Sequence, residues 1–253
     1  MGGGKSPDLM IGALPLASPS SVLEANDARM VHILDVLEES GTSVNGVREL
    51  EDARKKAGLP SEDAWFWMTY IDLPKWAFNP SIYLLQDDVP NFLRFWMNES
   101  VSMVGANGKL WEHWRPDQYT TCDNPDNGTS GWFLENFRNL LVMEDGQSLW
   151  IARATPRAWL EQGKKIAVKN APTYFGTLAY EIVSDVDNGK ITATVEIPNR
   201  NPPKSVIVRF RHPKSMPIQS VEVNGKAWKD FNKDKETIEL KELTGKVAVT
   251  AKY

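Results

Sequence analysis

The sequence holds a single cysteine, Cys122, among 253 residues. One thiol cannot close an intramolecular disulfide, and a Cys-rich zinc site is excluded with it. Histidine is nearly as scarce: His32 falls in a helical run, His212 in a strand connection, and neither has a metal-ligating partner at useful spacing. No metal and no cofactor is therefore expected. No apolar run reaches the roughly 18 residues that a membrane-spanning helix needs. The hydrolase elbow G-x-S-x-G is absent, so no Ser/His/Asp set can be assembled. No Lys/Arg run is interleaved with aromatics, which argues against a nucleic-acid partner. The start, Met1-Gly-Gly-Gly-Lys5-Ser6-Pro7, lacks the apolar stretch of a signal peptide. Its Gly2 and Ser6 fit the short N-myristoylation pattern, for which a frayed or truncated start is the blander reading. Compartment stays open: a lone cysteine fits the cytoplasm, and a longer form could be periplasmic or secreted.

What is present has the balance of a globular chain, 42% hydrophobic and 25% charged, enough to build one large core or two ordinary ones. Charge is uneven. Residues 1–146 carry 11 Lys/Arg against 22 Asp/Glu, and residues 147–253 carry 18 against 11, which marks two pieces of different make-up. In the first piece, Met30, Ile33, Leu34 and Leu37 recur at helical spacing behind Asp27. Helices are also expected over 47–57, 62–73 and 80–87, from Pro90 behind Asp87 or Asp88 to about Met103, and over 130–144 with Gly146 as a stop. After Gly146 the period changes to two. Strands are expected at Leu149–Arg153, Lys165–Val168, Tyr174–Val183, Ile191–Ile197, Ser205–Phe210, Gln219–Val223, Thr237–Leu240 and Val247–Lys252, with turns at Asp187-Asn-Gly and Asn224-Gly among them. Seven or eight such strands read as an antiparallel β-sandwich. One helical turn, Thr155–Glu161, interrupts them behind Pro156.

Nine of the ten tryptophans lie between Trp65 and Trp159. For Trp67, Trp96 and Phe133, on apolar faces, the expected role is core. Where indoles alternate with charge, the expectation shifts to binding. The segment Gly105–Gly128 is too rich in Gly, Pro and Asn for a long helix, and long connections between rigid elements are where function concentrates. It carries Trp111, Glu112, His113, Trp114, Arg115, Asp117 and Tyr119. A sugar ring lays its C–H face on an indole, and its hydroxyls need charged hydrogen-bond partners. Glycosidic cleavage needs two carboxyl groups, one protonated and one ionised. Glu112, between two indoles, is the natural group for a raised pKa because desolvation disfavours its anion. Asp117, Asp123 and Asp126 are candidates for the second carboxylate or for binding hydroxyls, Asp117 first among them, and Trp111, His113, Trp114, Arg115, Tyr119 and Trp132 are candidates for substrate binding. The plain alternative pairs Glu112 with Arg115 and spends the aspartates on turns.

Four runs in order, Trp111-Glu-His-Trp114, Gly131-Trp-Phe-Leu-Glu-Asn-Phe-Arg-Asn-Leu-Leu141, Leu149-Trp-Ile-Ala-Arg-Ala-Thr-Pro-Arg-Ala-Trp-Leu160 and Asn170-Ala-Pro-Thr-Tyr-Phe-Gly176, resemble the C-terminal region of bacterial six-hairpin glycoside hydrolases. Ile82–Met103 is similar to their penultimate helix pair. The resemblance implies an α+β multidomain chain: an N-terminal extension (1–24), a partial (α/α)6-toroid of helical hairpins (25–146) and a β-sandwich (147–253). It implies hydrolysis of a poly- or oligosaccharide, with a non-catalytic carbohydrate-binding or scaffolding module as the alternative. A full toroid needs twelve helices and about six are legible. The implied partners are a carbohydrate and the missing N-terminal hairpins of the same enzyme.

Overall fold

The computed structural model describes residues 22–39, 80–102, 108–110 and 127–253. The helices expected over 47–57 and 62–73, and the residues Trp111, Glu112, His113, Trp114, Arg115, Asp117, Tyr119, Asp123 and Asp126, lie outside the described residues. The chain divides between Phe137 and Arg138 into two compact units.

The described residues of the first unit are mainly helical. Helix α1 (Ala28–Glu39) begins behind Asp27, whose Oδ1 accepts the Arg29 backbone N–H at 2.9 Å. Hydrogen bonds from the Arg29 side chain and backbone hold the exposed Asp27 carboxyl well below the usual carboxylate range. Met30 and Leu34 are buried while His32 and Asp35 are exposed, the one-faced pattern that four-residue spacing imposes. Helix α2 (Ser81–Leu85) follows Pro80 and buries Ile82, Tyr83 and Leu84. Helix α3 (Val89–Ser102) is capped by Asp88, whose carboxylate accepts from the Asn91 backbone N–H at 3.1 Å and from its Nδ2 at 2.7 Å. Pro90 sits in the first turn, where its missing N–H costs nothing.

Helix α4 (Asn127–Leu141) is where expectation and structure part. The helix expected over 130–144 starts earlier and stops at Leu141, and Val142–Asp145 is a strand, β1. The run Leu140-Leu-Val-Met143 is continuously apolar, so it carries no period. Pairing decides it: Val142 stands opposite Ile151 and Met143 opposite Trp150 in β2 (Ser148–Ile151). Gly146, at φ +57°, makes the hairpin turn instead of ending a helix.

The second unit is built on two sheets. After β2 come a short 3₁₀ turn (Arg157–Leu160), β3 (Lys165–Thr173), β4 (Gly176–Asp185), β5 (Lys190–Ile197), β6 (Ser205–Arg209), β7 (Ser220–Val223), β8 (Lys226–Trp228), β9 (Phe231–Asn232), β10 (Thr237–Lys241) and β11 (Gly245–Lys252). One sheet has the order β1-β2-β6-β10-β9, the other β3-β4-β5-β11-β7-β8. All eight expected strands are present. The short β1, β8 and β9 are not expected from the sequence, since two to four residues hold too few alternations to register. The antiparallel pairing expected throughout fails once: β2 and β6 run parallel, Leu149 beside Val206 and Ile151 beside Val208.

Alternation explains the core. In β5, Ile191, Ala193, Val195 and Ile197 are buried and the residues between them are not. They join Leu178 and Ile182 of β4, Val247 and Val249 of β11, and Leu149, Ile151, Val206, Val208, Ile238 and Leu240 of the other sheet in one apolar cluster. Each large aliphatic side chain so buried contributes about 1.5–3 kcal/mol. Among the described residues no helix is long and apolar enough to cross a membrane.

Candidate functional site

Of the site residues expected from sequence, Trp132 alone falls among the described residues. It is half-buried on α4. Its neighbour Phe133 and, one turn on, Phe137 face Trp96 of α3, with ring centroids 6.2 and 6.1 Å apart and planes inclined by 23° and 26°. Spacing of i and i+4 puts both rings on the same side of the helix. Trp96 is buried, as expected for a core ring, and Phe133 is half-buried. Tyr83 stacks on Phe95 at 5.3 Å, and the buried Asn136 Oδ1 accepts from Ser81 Oγ at 3.0 Å, tying α4 to α2. Tyr83, Phe95 and Trp96 are buried, so these rings pack the helices against one another.

The second unit concentrates charge where the chain leaves its ladder. Ala152, at φ +54°, ends β2, and the buried stretch to Thr155 is irregular. Its amides are met by helix α4: Ala152 N–H donates to Leu141 O at 2.8 Å and Ala154 N–H to Leu140 O at 3.1 Å. Its carbonyls are met by guanidinium groups, Arg209 Nη1 donating to Arg153 O at 2.9 Å and Arg211 Nη1 to Thr155 O at 3.0 Å. Buried backbone polar groups must be paired, and here arginine supplies what a neighbouring strand would otherwise give. Arg153 and Arg209 lie over the Trp150 ring at 4.2 and 5.1 Å, and Arg153 also reaches Asp145 at 3.0 Å.

Beside it, Arg157 grips Glu236 with two bonds of 2.9 and 2.7 Å and donates to His212 O at 2.7 Å. The His212 backbone N–H donates to Glu236 Oε1 at 2.9 Å, and the His212 ring packs on Tyr253 at 4.6 Å. Burial, reinforced by the Arg157 charge and opposed by Glu236, pulls Arg211 down to about 10. Burial also lowers His212, whose Nδ1 accepts the Lys214 N–H at 3.1 Å and so is held neutral. It raises the phenols of Tyr180 and Tyr253.

Acid–base chemistry on a glycoside needs a carboxyl group that keeps its proton near neutrality. The described carboxyls that are displaced, Asp27, Glu144 and Asp185, all move the other way. For Glu144, burial pushes up, but the Arg138 guanidinium at 2.8 Å and the Tyr174 N–H outweigh it. Glu236 is closed in its arginine pair. Among the described residues no three His, Cys, Asp or Glu side chains gather to hold a metal. These arrangements fix the backbone between β2 and the 3₁₀ turn and the connections it packs against. Sequence reading missed the Arg157–Glu236 and Arg138–Glu144 pairs. The first joins residues 79 apart with no local signal, and the second spans a helix-to-strand junction that the helical period hid.

No family model and no curated protein matches the chain. Solved structures do. One, described as a glycoside hydrolase, shares 14% identity at a TM-score of 0.35 over 71% of this chain and 31% of its own. Another is a GH127 β-L-arabinofuranosidase from Geobacillus stearothermophilus T6, with 12% identity and a TM-score of 0.30 over 75% of this chain and 30% of its own. The likeness is to glycoside hydrolases. The chain spans just under a third of the length of each.

Proposed function

We propose that this chain is a carbohydrate-active protein, the C-terminal portion of a glycoside hydrolase acting on a poly- or oligosaccharide. In this reading the helices are part of an (α/α)6-toroid and the two sheets are its appended β-sandwich. The observation that carries the proposal is the run Trp111-Glu112-His113-Trp114, a carboxylate between indoles in a segment whose composition is that of a loop. Apolar surroundings would raise the Glu112 pKa toward that of a proton donor. Asp117 would be the second carboxylate, and Trp111, His113, Trp114, Arg115, Tyr119 and Trp132 would shape the sugar site. Of the other resembling runs, Gly131–Leu141 falls on α4, Leu149–Leu160 on β2 and the 3₁₀ turn, and Asn170–Gly176 on the β3–β4 hairpin, an order that supports the reading.

The test is hydrolysis of a panel of aryl glycosides and oligosaccharides. Glu112→Gln keeps shape and removes the acid, so turnover should fall by about 10²–10⁴-fold, the range of a lost general acid. Undiminished turnover in Glu112→Gln removes Glu112 from the chemistry. A second reading, a non-catalytic carbohydrate-binding or scaffolding module, uses the same aromatic side chains without chemistry. It predicts that wild type and Glu112→Gln both bind saccharide and that neither turns it over.

A further inference from the structure

The β3–β4 hairpin turns through Tyr174-Phe175, and the two rings part company. Phe175 is 3% exposed and belongs to the core, whereas Tyr174, 83% exposed, is the most exposed large apolar side chain among the described residues. The backbone beneath it is nevertheless pinned at every residue. Thr173 Oγ1 donates to Gly176 O at 2.6 Å and accepts the Phe175 N–H at 3.2 Å. The Tyr174 N–H donates to Glu144 Oε1 at 3.2 Å, and Arg138, which grips that carboxylate, donates to Pro172 O at 3.0 Å. Phe175 O accepts the Asn201 N–H at 3.1 Å.

That last bond brings the β5–β6 connection to the tip. Gly176, at φ +121°, lies so close to it that a Cβ there would meet the Arg200 Cβ at 3.3 Å and the Pro198 Cβ at 3.4 Å. Asn199, Arg200 and Asn201 are all exposed. One end of the unit thus presents a phenol ring, a guanidinium and two carboxamides on two connections that are tied together.

We infer that this tip is a saccharide-binding platform: Tyr174 stacks on the C–H face of a sugar ring while Arg200, Asn199 and Asn201 hydrogen-bond its hydroxyls. The inference rests on the carbohydrate reading above and adds a second contact to it, apart from the Glu112 segment in sequence. The chemistry matches a sugar, which offers one apolar face edged by donors and acceptors. It does not match a protein hot spot, which needs a desolvated pocket around the aromatic anchor. The bracing lowers the ordering cost of binding, because the ring's backbone is already fixed.

Affinity electrophoresis of the full chain through gels containing arabinan, arabinoxylan, xyloglucan or mixed-linkage β-glucan tests it, with wild type, Tyr174→Ala, Tyr174→Trp and Arg200→Ala side by side. Wild type should be retarded by at least one of them. Tyr174→Ala should bind about five- to tenfold more weakly, the worth of one stacked ring. Tyr174→Trp should bind at least as well as wild type, and Arg200→Ala should bind less. Unaltered melting of Tyr174→Ala is expected, since its side chain is exposed. Retardation of Tyr174→Ala equal to wild type overturns the platform and leaves the carbohydrate reading standing, as does hydrolysis by a wild type that no gel retards. Neither retardation nor hydrolysis in wild type overturns both. A change in the solution mass of Tyr174→Ala with unchanged retardation assigns the tip to self-association and ends the inference.

Discussion

Replacing Glu236 by alanine removes an acceptor of three hydrogen bonds, two from Arg157 at 2.9 and 2.7 Å and one from the His212 N–H at 2.9 Å. The carboxylate side chain is 9% exposed and the guanidinium 31%, so water can reach one partner and hardly the other. A hydrogen bond to a charged group is worth about 1.5–3 kcal/mol, and an orphaned buried N–H costs about 1–3 kcal/mol. Arg157 regains some hydration, so the sum is not realised in full. A loss of roughly 3 kcal/mol is expected, below the full cost of splitting a wholly buried pair. Glu236→Gln keeps one acceptor for the His212 N–H and should lose about half as much. Urea unfolding followed by circular dichroism would measure both, and a cycle with Arg157→Ala isolates the pair. Its coupling should be roughly 2 kcal/mol. A coupling below about 0.5 kcal/mol, the value of an exposed pair, would refute the view that this node holds the 3₁₀ turn and the segment after β6 to the β9–β10 connection.

The neutral His212 gives a pH signature. Its folded pKa is lowered, so the unfolded chain takes up the proton first; stability is complete above about 6.5 and falls as pH drops below it toward the folded value. Melting temperatures measured from pH 8 to 5, in roughly half-unit steps, should show this decline, and His212→Gln should flatten it. At the β7–β8 hairpin, Val223 pairs with Lys226 across Asn224-Gly225, whose φ values of +50° and +74° are those of a type I′ turn. Nothing lies within 4 Å of a Cβ on Gly225, so the Gly225→Ala penalty is backbone strain alone. It should be about 1–2 kcal/mol in the same unfolding experiment.

Strands with clean alternation were legible, β5 above all, because one buried face writes itself into every second residue. Caps were legible too: Asp27 and Asp88 each stand where a polar residue precedes an apolar period, and both carboxylates accept the N–H they should. The boundary of α4 was not, since Leu140-Leu-Val-Met143 is apolar on all sides and only the partners Ile151 and Trp150 make its end a strand. The parallel β2–β6 pair was equally hidden, because alternation reports burial and not direction. In the candidate site, the core role of Trp96 could be read from its helical face. The roles of Arg153, Arg209 and Arg211 could not, for a guanidinium serving a distant carbonyl leaves no periodic trace. Tyr174 was read as part of a strand; its projection from the sheet depends on a tip fixed by Glu144 and Asn201, far away in sequence.

The parallel pairing has a consequence for synthesis on the ribosome. Ser148 and Ser205, which meet through their hydroxyls, are 57 residues apart, and the three strands between β2 and β6 belong to the other sheet. A growing polypeptide therefore emits the β1–β2 ribbon long before the strand that completes it. For that interval Leu149 and Ile151 face solvent on an unclosed edge, the kind of segment that other chains capture. Biogenesis, more than the finished molecule, is where this topology is exposed to sticking, and slowing translation after β2 should lower the yield of soluble product.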